Sequence, residues 1–165
     1  MRSKLVYTKN NIIKGAIIYA SGDTIAALIL GEFNTMRLIG MVLVGATFYA
    51  FEIPNYFKWI EIKTQNLKGF TYLLSKTSLA IAYFNPLWIA RHLFFIKLFS
   101  RQFNSLNWSI FNIAFISFVV NIPISFFANF IIQTKTPLKW RFFASAVFSA
   151  LMAIYYALSE TLFNS

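Results

Sequence analysis

The sequence predicts an all-α protein: a polytopic membrane helix bundle of four to five transmembrane helices, some of them kinked at proline. Three observations predict it. Hydrophobic residues fill 58% of the 165 positions and charged residues 12%, with a mean hydropathy of +0.62, which sets the chain apart from soluble domains. The apolar residues fall into a few long runs, and one bilayer crossing needs about 20 residues. The bases behind the net charge of +10 cluster at the ends of those runs. That is how topology signals are placed, so no nucleic-acid partner is expected. A single domain over 1–165 is predicted, helical at about 11–30, 36–60, 69–99, 108–130 and 137–162.

The first helix, Asn11 to Leu30, is apolar apart from Asp23 near its middle. At helical spacing Ala16, Ala20, Asp23 and Ala27 share a face, with Gly22 beside them. Small residues let another helix come close. A carboxylate at that depth costs about 2.5–3.5 kcal/mol on insertion scales, so it must face protein or water. The N-terminal stretch Met1 to Lys14, which runs into this helix, carries Arg2, Lys4, Lys9 and Lys14 and no acid, a charge like that of a short targeting segment. No small-residue cleavage site follows, so the segment is expected to be retained.

Gly31 to Asn34 is a polar turn. The second helix, Met36 to Ile60, has Gly40 and Gly45 for close packing and Pro54 for a kink near its end. Tyr56, Phe57 and Trp59 beside Lys58 and Glu61 read as an aromatic belt. Glu52, close to Pro54 and Tyr56, is expected at the interface, solvated or paired with Lys58; the sharper alternative is a proton relay. The third run, Gly69 to Phe99, is too long for one straight crossing and should break at Asn85–Pro86. Lys76 within it is expected to snorkel to the surface. His92 beside Arg91 reads as an interfacial histidine, with a pH sensor as the alternative.

The fourth run, Trp108 to Phe130, is expected to be interrupted at Asn121-Ile-Pro123. Pro137 is placed at the first position of the last helix. That helix begins basic with Lys139 and Arg141, carries small residues at Ala144, Ser145, Ser149 and Ala153, and ends near Leu162. With five crossings, eleven bases lie on the N-terminal side and four (Arg37, Arg91, Lys97 and Arg101) on the other, so the N-terminus should face matrix or cytosol.

Enzyme chemistry finds little footing. There is no cysteine and a single histidine, which excludes disulfides and thiolate metal sites and argues against a histidine metal centre. Gly-rich phosphate loops, Gly-x-Ser-x-Gly elbows and His-Glu-x-x-His helices are missing. Five acids in the whole chain leave little scope for general acid–base work. No catalysis, cofactor or metal is expected. Asp23, Glu52, Arg91 and His92 are the candidate intramembrane polar residues. Asp23 is read as a structural partner of Arg91 or Arg37, or else as part of a conduction path.

Several fragments, in order, carry a resemblance. They are Gly22-Asp23, Arg37, Tyr56-Phe57-Lys58-Trp59-Ile60-Glu61, Phe84-Asn85-Pro86, Pro123 through Asn129-Phe130, Pro137 to Arg141, and Leu158-Ser159. Across nearly the whole chain they make it resemble the Mpv-seventeen and peroxisomal-membrane-protein-twenty-two family of small organelle membrane proteins. That resemblance implies the mitochondrial inner membrane, or alternatively the peroxisomal membrane, and a pore for small solutes. Yet where the family motifs carry polar groups this chain has Ala27, Ala80, Ile81 and Phe126, and Ile122 in place of a tryptophan. A pore lining thinned in this way favours a non-enzymatic structural or accessory subunit of a larger membrane complex, silent in bilayers. Its expected partners are other membrane subunits and membrane lipid, with anionic lipid at the basic loops.

Overall fold

The computed structural model describes residues 5–163, with side chains at 5–152, 154 and 155. The expectations at Ala153, Leu158 and Ser159 lie outside the described side chains. The elements are α1 (Lys9–Ile29), α2 (Thr35–Val44), a π-turn (Gly45–Tyr49), α3 (Ala50–Thr64), α4 (Gly69–Tyr83), α5 (Pro86–Phe99), α6 (Ser109–Thr134) and α7 (Leu138–Phe163). The π-turn joins α2 and α3 into one rod, and α4 and α5 meet end to end, so the bundle has five rods. No strand occurs among the described residues. Four rods, Lys9–Ile29, Thr35–Thr64, Gly69–Phe99 and Ser109–Thr134, are long and apolar enough to cross a bilayer. By length and composition this is a polytopic membrane protein.

Polar turn residues set the helix starts. Thr8 Oγ1 accepts from the Asn11 N–H, and Asn34 Oδ1 accepts from that of Met36 at 2.8 Å, each meeting a donor that the first helical turn leaves free. Asn85 does the same for α5, accepting from Trp88 N–H at 3.1 Å, with Pro86 at the first helical position. This is the predicted break in the third run. The fourth run departs from expectation. α6 is continuous through Pro123, because one missing N–H in a long helix removes a single bond. The second rod also runs past Ile60 to Thr64, with Pro54 inside continuous α3 and a π-turn at Gly45–Tyr49 ahead of it. The last helix starts at Leu138, immediately after Pro137.

Packing centres on α1, which lies against α7, α2 and the π-turn. Gly15 and Gly45 touch backbone to backbone, so that a methyl at either would overlap the other's carbonyl. Gly22 seats against Ala150 of α7 in the same way. Such contacts give helices van der Waals association that the bilayer does not otherwise supply. A cluster around Tyr19, Tyr49, Ile53 and Phe57 fills the centre. The distribution of polarity is inverted relative to a soluble protein. Asp23, Arg37, Lys76, Asn121, Asn129 and Gln133 are buried, whereas Ile17, Leu87, Phe115 and Ile131 are exposed, as a lipid-facing surface requires.

Candidate functional site

All four acids with described side chains, Asp23, Glu32, Glu52 and Glu61, hold bases. Asp23 of α1 grips Arg37 of α2 through both oxygens, from Nε at 2.8 Å and Nη2 at 2.7 Å, with both residues buried. Asn34 sets this up by starting α2 so that Arg37 falls on the inner face. Glu32 stands 3.7 Å from the same guanidinium. Of the two partners the sequence offered for Asp23, Arg37 is the one used.

Arg91 takes Glu52 instead, at 2.9 and 2.6 Å, and Tyr83 donates to the same carboxylate at 2.9 Å. The expectation of a solvated or Lys58-paired Glu52 is therefore corrected. Glu52 lies near the midpoint of the Thr35–Thr64 rod, on the side turned towards α4 and α5. Lys76 does not snorkel; it is buried, bonded to Tyr72 at 2.8 Å and paired with Glu61. Arg141 reaches the same Glu61 and also donates to the Thr136 carbonyl at 2.9 Å. A carboxylate met by two buried bases keeps neither base uncompensated. His92 is likewise not interfacial. It is buried, 2.9 Å from the Tyr49 hydroxyl and stacked flat on Trp88.

Two cavities meet at that histidine. The larger, about 470 Å³, opens between the α1–α2 turn and the segment after α5. Asp23, Glu32, Arg37, Lys97, Arg101 and His92 are among its lining residues. The smaller, about 40 Å³, lies on the other side of Trp88, Ile89 and His92, between α5, α6 and α7. Trp88, Ile89 and His92 line both, so they form the wall between vestibule and inner chamber.

Ser125 and Asn129 of α6 and Ser149 of α7 line the inner chamber. They belong to a longer series. Asn121, Ser125, Asn129 and Gln133 follow one another at every fourth residue and so share one face of α6. Opposite, Ser145 and Ser149 keep the same spacing on α7. Asn121 and Asn129 donate back to the Ser117 and Ser125 carbonyls at 2.8 and 2.9 Å. Their side-chain carbonyls, both polar atoms of Gln133, the Ser145 hydroxyl and Trp88 Nε1 are buried without a protein partner. A dry unpaired group of this kind costs about 1–3 kcal/mol. A site of 10–15 Å³ holds one water, so the chamber of about 40 Å³ has room for two or three.

The sequence singled out Asn121 only as a helix breaker and Asn129 only as a motif residue. The polar period along α6 was there to be found by testing polar residues, rather than apolar ones, for helical spacing. Among the residues of the resemblance, Asp23 and Arg37 reach the vestibule, and Phe84 and Asn129 reach the inner chamber. Gly22 packs on α7, Tyr56 donates to the Leu79 carbonyl at 2.9 Å, and Phe57 fills the core. Phe130 is half-buried, Pro86 and Pro137 stand at helix starts, and Arg141 lies with Glu61. Among the described residues no three of His, Cys, Asp or Glu come together as a metal site. Compared with protein-family models, curated proteins and solved structures, the chain matches none.

Proposed function

We propose that the chain is a non-enzymatic membrane pore for small polar solutes, held closed at Trp88, Ile89 and His92 in this conformation. The observation that carries the reading is the buried polar face of α6, with unpartnered side-chain oxygens at Asn121 and Asn129 and an unpartnered amide at Gln133, which meets the smaller cavity at Ser125 and Asn129. An aqueous path needs polar groups at several depths, because apolar constrictions dewet and close. Loss of polar character at Ala27, Ala80, Ile81 and Phe126 argued for an accessory subunit. The α6 amides supply that character from other positions. The fragments that resemble the Mpv-seventeen family, together with the basic N-terminal segment, support the mitochondrial inner membrane, with the peroxisomal membrane as the alternative.

Purified protein in liposomes tests this by release of entrapped small solutes and by conductance in planar bilayers. The unmodified chain should pass solute. Asn129→Leu combined with Gln133→Leu should abolish passage while lowering thermal stability by no more than about 1.5 kcal/mol, since Gln133 has no partner to lose and Asn129 loses one bond, to the Ser125 carbonyl. A silent unmodified protein that migrates only within a large assembly on native gels would return the function to an accessory subunit.

A further inference from the structure

A notch on the outer face of the bundle exposes charge where lipid offers nothing to meet it. It holds about 370 Å³, opens outward between α3 and the α4–α5 break, and is lined by Glu52, Tyr83, Asn85, Leu87 and Arg91 among others. Glu52 and Arg91 side chains are 30% and 33% exposed. Among the described ion pairs, both partners are exposed to this degree only here; Asp23–Arg37 is buried on both sides, and Glu61 faces two buried bases. The depth is the difficulty. The Thr35–Thr64 rod centres near Tyr49–Ala50, and the Gly69–Phe99 rod near Phe84. Both rods are about 45 Å long at 1.5 Å per residue, against a hydrocarbon core of about 30 Å. With each rod centred in the core, Glu52 lies close to the centre and Arg91 about 10 Å from it, so the notch faces acyl chains, where exposed charge is costly.

We propose that a second copy of this chain covers the notch, in a parallel two-fold dimer whose axis runs along the membrane normal. Rotation about that axis keeps every residue at its own depth. Glu52 and Arg91 are bonded at 2.6 and 2.9 Å, so their charged ends differ in depth by no more than about one hydrogen bond, and the dimer takes the pair as lying across the membrane plane. A half-turn reverses their left–right order, so each copy's Arg91 meets the other's Glu52. The four groups close a ring of alternating charge, and the notch is its own electrostatic complement. A different protein would need an intramembrane acid–base pair of its own at the same depth. Leu87, 66% exposed, and Phe94, 42% exposed, flank the notch and supply the apolar rim.

The chain has no cysteine, so a single introduced one reports a single contact. Leu87→Cys in lipid vesicles, oxidised with copper phenanthroline, should yield a disulfide-linked species at twice the 19.0 kDa of the chain. Ile17→Cys and Phe115→Cys, exposed on α1 and α6, should not. The decisive variant is the exchange Glu52→Arg with Arg91→Glu, which keeps the pair within each copy. Exchanged chains should cross-link to one another as the parent does. When differently tagged exchanged and parent chains share a membrane, mixed dimers should fall at least tenfold below either matched dimer, because like charges then face each other. Absence of the Leu87→Cys dimer, equal linking at all three positions, an adduct with a different protein, or free mixing of exchanged and parent chains would each overturn the dimer. None of these readouts depends on solute passage, so the dimer and the pore fail separately.

Discussion

Arg37 has two carboxylates within reach and takes both oxygens of one, Asp23, while Glu32 stands off at 3.7 Å. Removing one partner of a buried pair costs about 3–5 kcal/mol, because the other charge is left uncompensated. Asp23→Leu should therefore lower stability by about that amount. Asp23→Asn should cost less than half as much, since an amide still accepts from the guanidinium and Glu32 supplies part of the counter-charge. Thermal unfolding in detergent compares the two, and equal losses would show that the pair does not hold α1 to α2. That Asp23 must face protein was legible from one acid in an apolar run; that Glu52 meets Arg91 was not. Glu52 sits beside Lys58 in sequence, but the pairing depends on where α3 lies against α5, which no local spacing encodes.

Among elements, the second rod and α6 show why some features could be read and others not. Helical runs and the Asn85–Pro86 break follow from hydropathy and proline chemistry, which are local. The π-turn at Gly45–Tyr49 is a tertiary matter. It lies where α1 brings Gly15 onto Gly45 with no side chain between. Gly15→Val should push the two rods apart and cost about 1–3 kcal/mol, as overpacking does. The loss should appear as a lower melting temperature and as faster proteolysis in the α1–α2 turn. An unchanged melting temperature would mean that the rods are not held at this contact. In α6 the sequence reading gave Pro123 too much weight and the polar period too little. An interruption expected at Asn121-Ile-Pro123 separates Asn121 from Asn129, whereas the continuous helix puts them on one face.

For the molecule as a whole, the asymmetry of eleven bases against four sets orientation. Of eleven bases on the N-terminal side, Lys76 and Arg141 are taken up by Glu61; of four on the other, Arg37 and Arg91 are taken up by Asp23 and Glu52. The N-terminus should therefore face matrix or cytosol. A tag ahead of Arg2 should resist protease added outside intact mitoplasts and be cut only after detergent. Cleavage without detergent would reverse the orientation.

The ion pairs also differ in how far apart along the chain their partners lie, and this bears on how the protein enters its membrane. Asp23 and Arg37 are 14 residues apart, on the two arms of the α1–α2 hairpin. Glu61 and Lys76 bracket the α3–α4 turn in the same way. Each hairpin can thus leave the insertion machinery already neutralised, as a unit rather than as two separately charged spans. Glu52–Arg91, 39 residues apart, and Glu61–Arg141, 80 apart, cannot form so early. They become available only when later spans arrive, and Arg141 comes last. Biogenesis of this bundle is therefore staged by its own salt bridges: local pairs admit the early hairpins, and the distant ones latch the finished fold.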